Sequence, residues 1–243
     1  MGGSAKYRAA HIVQTGQPQA KTFRDKINDA QTKNDLLLEL QNEYGAKKVK
    51  SDFVLKNDIN MVKRAMNTVI DLEEKYPFMK GFVNFFYESK AGMASMNPRG
   101  GLSLNSKYWK QDDKRMYSGK HRGWWPPNSK PESLIAHEFG HAIAFKYYNK
   151  LYKEAKRNND LGTILSLVAG QRKGEFLKSV EKTAMKSLNV KTMKGARQQI
   201  SGYATKGGIH EAFAESFADV FANGDNASDM SKAYVRELLA VIK

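Results

Sequence analysis

Apolar positions recur along this chain with two periods, and the places where the period changes divide it. Between Thr22 and Tyr44, residues Phe23, Ile27, Leu37, Leu38 and Leu40 predict a helix with a weak first half. VKSDFVL (49–55) reads as a short strand. Asp58 then opens a helix carrying Ile59, Val62, Met66, Val69 and Ile70 on one face, which must end at the Tyr76-Pro77 step. GFVNFFYES (81–89) is rich in aromatics and valine and reads as a strand. Two further extended pieces, Met93–Asn97 and Leu102–Asn105, flank a Pro-Arg-Gly-Gly turn. After an irregular stretch over 106–131, helical periodicity takes over. One long helix opens at Ser129 or Pro131, and others are expected near 160–169, 173–188, 192–200, 209–223 and 229–242. A mixed first half followed by a helical second half predicts an α+β fold. The expected layout is a polar arm or linker over residues 1–21 and one domain over 22–243. Within that domain, a helix/strand part (22–130) precedes a helical part (131–243).

Composition narrows the chemistry. The 243 residues suffice for one sizeable core, and there is no cysteine, so thiolate metal sites, disulfides and a catalytic thiol are excluded. No apolar run reaches the roughly 20 residues of a membrane span, and the N-terminus has no apolar core of a secretory signal. The expected location is therefore the cytoplasm of the producing cell. Lysine and arginine exceed acids by 15, mostly ahead of residue 131, which favours nucleic acid or acidic surfaces as partners.

The long helix carries ESLIAHEFGHAIAFKYY (132–148). His137 and His141 stand one turn apart on one face, with Glu138 beside the first. This HExxH spacing delivers two metal ligands and a general base from one rigid element. A catalytic zinc site needs a third protein ligand. A metzincin would have Gly at 144 and His or Asp at 147, but this chain has Ala144 and Tyr147. The alternative is an acid on a second helix. In SGYATKGGIHEAFAESFADVFANG (201–224), Glu211 and Glu215 lie one turn apart among Phe213, Phe217, Val220 and Phe221. Two carboxylates in apolar surroundings require a positive partner. Zinc on Glu211, with Glu215 supporting it, meets that requirement. His210 points about 100° away from its neighbour Glu211 and is expected to be a bystander or a supporting group. His121 reads as a loop residue, and Asp219 as a helix-surface acid.

HEFGHAI, SGYA and EAFAESFAD together resemble the anthrax-lethal-factor-like zinc metallopeptidase domain, found with phage minor head morphogenesis proteins and in bacterial toxins. With the GMASMN and GLSLN strands, the resemblance spans roughly residues 91–224. It implies a zincin-like fold, with His137, His141 and Glu211 as Zn2+ ligands and Glu138 as base. It also implies that Tyr203 donates to the transition state, that the substrate is a peptide or protein, and that phage head proteins are candidate partners, with packaging in a virion. The chain departs from the family in the link before Glu211: KGGIH, with two glycines, reads as a looser loop.

A second reading starts from the charge. Residues 99–130 interleave cations such as Arg99, Lys114, Arg115 and Arg122 with Tyr108, Trp109, Tyr117, Trp124 and Trp125, a combination that can hold single-stranded nucleic acid. The chain would then be a basic virion structural or nucleic-acid-contacting protein with a structural or vestigial zinc site. The plainer expectation is a flap whose tryptophans pack over the core.

Overall fold

A computed structural model describes residues 20–45, 51–90, 92–109 and 123–242. The arm expected over 1–21 and the loop histidine His121 therefore lie outside the described residues, apart from residues 20 and 21. The fold is α+β: helices dominate, and one small mixed sheet lies beside them.

Where one helix was expected over 22–44, there are two, α1 (Phe23–Asp29) and α2 (Lys33–Tyr44). Thr22 and Thr32 each close a capping box, with Asp25 and Asp35 respectively, and the second box stops α1 from continuing. The strand expected over 49–55 is incorrect within the described residues. Asp52–Lys56 forms a short helix, α3, which buries Phe53 and Val54. Five apolar and polar residues in a row do not distinguish a strand from one and a half helical turns. The amphipathic helix α4 (Ile59–Lys75) is capped by Asp58, whose carboxylate accepts from the Asn60 and Met61 amides, and it ends at Tyr76 as expected.

The sheet holds β1 (Phe85–Glu88), β2 (Ala94–Met96) and β3 (Gly101–Leu104) in the order β1-β3-β2. β1 pairs with β3 in parallel (Phe86 opposite Leu102), and β2 pairs with β3 antiparallel (Ser95 opposite Ser103), so β2 is an edge. Glu88 ties the sheet to its surroundings by accepting from Asn57 Nδ2 (2.7 Å) and from the Ser106 amide and hydroxyl. The short helix α5 (Ser106–Trp109) follows, with Trp109 buried beneath the guanidinium of Arg64.

Helix α6 (Pro131–Arg157) carries the HExxH run. Proline at its first turn is preorganised for helix entry, where its missing N–H costs nothing. Arg64 of α4 pairs with Glu132 and aligns the two helices. The remaining helices are α7 (Leu161–Lys173), α8 (Glu175–Ser187), α9 (Met193–Gln198), α10 (Gly202–Gly207), α11 (Ile209–Asn223) and α12 (Asp229–Ile242). A fully buried carboxylate joins three of them. Glu181 of α8 accepts two bonds from Arg197 of α9 (2.8 and 3.0 Å) and one from the Tyr234 hydroxyl of α12 (2.6 Å). Among the described residues, no helix is long and apolar enough to cross a membrane.

Candidate metal centre

The centre depends on how closely α6 and α11 approach. Glycine inside a helix costs about 1 kcal/mol against alanine, so Gly140 needs a reason. A methyl group there would lie 2.9 Å from Ala214 Cα and 3.0 Å from Phe217 Cδ2. Its absence lets the two backbones pack almost in contact, with Ile135, Phe139, Ile143, Phe213 and Phe217 buried around the seam. This close crossing brings the acids of α11 up to the histidines of α6.

His137 Nε2 lies 3.1 Å from Glu211 Oε2, and His141 Nε2 lies 3.5 Å from the same oxygen. Donor atoms of all three residues fall within 4.8 Å of one another, an arrangement that could hold a metal ion. Ligands about 2.1 Å from a tetrahedral ion stand about 3.4 Å apart, close to the two histidine–glutamate separations. Glu211 Oε2 is buried and makes no hydrogen bond despite this proximity. A buried carboxylate oxygen facing two ring nitrogens without hydrogen-bond geometry fits a site for a cation between them.

Electrostatics agree. Burial works against a charged His137, but Glu211 and Glu215 outweigh it and hold its pKa up at about 10. Glu211 moves the other way: burial opposes its charge, yet the two histidines hold its carboxyl well below the usual carboxylate range. The pocket therefore favours positive charge on its histidine side and negative charge on Glu211.

Glu215 is fully buried, and its Oε1 lies 2.7 Å from His137 Nδ1, leaving Nε2 of that ring turned towards Glu211. A solvent-facing acidic stripe on α11 is excluded. Glu138 is also buried, and burial raises its pKa, partly offset by the two histidines. It lines a cleft of about 470 Å³ together with the three donors, Tyr203, His210 and the edge strand residues Ala94, Ser95 and Met96. The site residues expected from the sequence are thus brought together. His210 lies on the cleft wall and is not one of the three grouped donors.

Comparison with models of protein families, with curated proteins and with solved structures finds no match. The centre stands on its geometry.

Two expectations need correction. KGGIH is not a loose loop, because α10 ends at Gly207 and α11 begins at Ile209, leaving one residue between them. Gly208 makes the turn at φ +87°, a left-handed value that favours glycine. Gly207 gives room to the Glu211 side chain, since a Cβ there would lie 2.4 Å from Glu211 Cγ. Asp219 is not a surface acid. It is buried, accepts from Asn223 Nδ2 (2.7 Å) and the Ser228 amide (3.0 Å), and so fixes the end of α11. It therefore serves the helix rather than a histidine.

The structure also shows what holds Tyr203. The amides of Gly202 and Tyr203 donate to the carbonyls of Gly123 (2.8 Å) and Trp124 (3.0 Å). Trp124 and Trp125 pack on the Tyr203 ring at 5.4 and 5.6 Å, and Tyr203 stacks on His137 at 6.0 Å. Burial, with Glu211 and Glu215 nearby, pushes the phenol up to about 12, so it stays a proton donor at neutral pH. The described end of the aromatic segment thus forms a wall of the centre, a closer version of the flap expected from its tryptophans. Residues 99–109 and 123–130 of that segment are described, and 110–122 lie outside. The adjacent pair Trp124-Trp125 in the sequence gave no hint of its target.

Proposed function

We propose that this chain is a zinc-dependent endopeptidase of gluzincin type with a zincin-like fold. The supporting observation is the buried carboxylate of Glu138 beside the His137–His141–Glu211 group, in a cleft bordered by an edge strand. A structural metal site has no use for such a base.

In this reading His137, His141 and Glu211 hold the ion. A zinc ion held there would supply a Lewis acid able to polarise a carbonyl and to bring the pKa of water towards about 7. Glu138 accepts the proton of the attacking water and returns it to the leaving amine, a task suited to a carboxyl whose pKa burial has raised. Tyr203 donates its phenolic hydrogen to the developing oxyanion. Glu215 holds the His137 ring by its Nδ1 and fixes which nitrogen faces the ion. Among the described residues β2 is the edge strand of the sheet, and its backbone offers groups along which an extended peptide can lie. Association with a phage or a toxin, including phage head proteins as partners, is supported by the sequence resemblance over 91–224.

The test is elemental analysis of dialysed protein, followed by a peptide-library digest. Wild type should carry one zinc per chain, Glu211→Ala should lose it, and Glu138→Gln should keep zinc while losing cleavage. A wild type that binds no zinc when reloaded would overturn the reading and favour the basic virion or nucleic-acid-contacting alternative.

A further inference from the structure

Helix α6 has a second working face. Successive helical residues turn by about 100°, so Lys146, Lys150, Lys153 and Arg157 form one stripe roughly opposite His137 and His141. That stripe borders a groove of about 920 Å³ whose apolar side is made by Phe78, Phe82, Tyr147 and Ile242. No acidic residue is among its described lining residues. None of the four cations makes an ion pair with a carboxylate among the described residues. Lys150, Lys153 and Arg157 are exposed, while the Lys146 amine bends back to the Phe78 carbonyl and over the Phe78 ring. Cations near a helix C-terminus are ordinarily explained by the helix dipole, but that effect is confined to the last turn. Lys150 and Lys146 stand about two and three turns before the helix end, alongside the apolar floor.

We propose that this groove is a docking site for an acidic amphipathic helix of a partner protein. From Lys146 to Arg157 the stripe runs for about 17 Å, or three helical turns. An incoming helix with carboxylates on one side and large apolar side chains on the other matches both features at once, as amphipathic helices do in other apolar grooves. A fatty acid has a single carboxylate for four cations. Single-stranded nucleic acid would answer the charge but would leave the Ile242 and Phe82 side of the groove without a partner of its own kind. Because the groove faces away from the cleft, the partner it holds is not positioned to enter the metal centre.

The probe is a fluorescein-labelled peptide of about 14 residues with glutamate on one helical face and leucine and phenylalanine on the other, titrated with the full chain at about 0.15 M salt. The control is a peptide of identical composition, ordered so that no apolar face forms. Saturable binding is expected for the first, with affinity at least about tenfold weaker for the second. Lys150→Glu/Lys153→Glu should weaken binding by about tenfold or more, and Phe78→Ser should weaken only the amphipathic peptide. Lys178→Glu/Lys182→Glu, exposed on α8, should leave it within about twofold. Absence of saturable binding, equal binding of both peptides, or an equal loss in the α8 variant would overturn the proposal. So would tighter binding of an oligothymidylate or of phosphatidylglycerol vesicles, lost with Lys150→Glu/Lys153→Glu, which would make the groove a nucleic-acid or membrane site.

Discussion

Gly140 of α6 faces the backbone of Ala214 on α11 so closely that a single methyl group would come within 2.9 Å of Ala214 Cα. The obstacle is backbone, which cannot swing aside as a side chain can. Gly140→Ala should therefore force the helices apart, with overpacking costing about 1–3 kcal/mol in spite of alanine's better helix propensity. Chemical denaturation and zinc titration would measure both effects. The expected result is lower stability with metal affinity reduced by about tenfold or more; a more stable variant with unchanged affinity would show that the seam has slack.

Glu215 should act on metal affinity through His137. Glu215→Gln keeps an oxygen for Nδ1 but removes the charge, and comparable supporting contacts are worth about 10–100-fold in affinity. Calorimetric zinc titration of the two proteins would give the ratio. Equal affinities would mean that the carboxylate contributes only packing.

Zinc affinity should also rise with pH. With its pKa held at about 10, His137 carries a proton that the metal must displace at neutral pH, so binding releases it. The apparent affinity should climb by up to about tenfold per pH unit between about pH 6 and 8. Repeating the titration in buffers of different ionisation enthalpy would count the protons released.

The two glycines between α10 and α11 should separate under mutation. Gly207→Ala puts a Cβ against Glu211 Cγ and should weaken zinc binding more than it lowers stability. Gly208→Ala meets no neighbouring atom, but its φ of +87° is strained for any side chain. It should cost about 1–2 kcal/mol of stability, with metal binding little changed in the folded protein. Thermal melts paired with zinc titrations would test the contrast.

A pH dependence unrelated to the centre is expected from Glu73. Burial raises its pKa from an ordinary 4.5 to about 7, although the Gly81 amide and the Tyr44 hydroxyl both donate to it. The folded state then binds more protons than the unfolded chain between these values. Stability is greatest below about pH 4.5 on this account and falls as pH rises through about 7, by on the order of 3 kcal/mol. Glu73→Gln should flatten that part of the stability profile measured by urea denaturation.

Much of the centre was legible in the letters because its parts are local. His137, Glu138 and His141 are fixed relative to each other by one helix, and Glu211 and Glu215 by another, so period alone groups them. Finding the two pairs together needed the further observation that two acids among phenylalanines require a cation. What stayed hidden was long-range or steric. Nothing in Gly123-Trp124 says that its carbonyls will bind the start of α10, and nothing in Gly207 says that the Glu211 side chain will pass over it. Short elements also escaped. Asp52–Lys56 is too brief for its pattern to have a period, and Thr32 splits a run that apolar spacing alone reads as continuous.

The single residue between α10 and α11 has a mechanical consequence. One linking glycine offers one pair of soft torsions, so Tyr203 and Glu211 are coupled like two teeth on one key. Tyr203 is also clamped from outside, by the carbonyls of Gly123 and Trp124. A disturbance at the tryptophan wall is therefore expected to reach, through α10, the carboxylate that faces both histidines. If the centre holds zinc as proposed, metal retention would gauge how the segment ahead of α6 is seated, some eighty residues away along the chain.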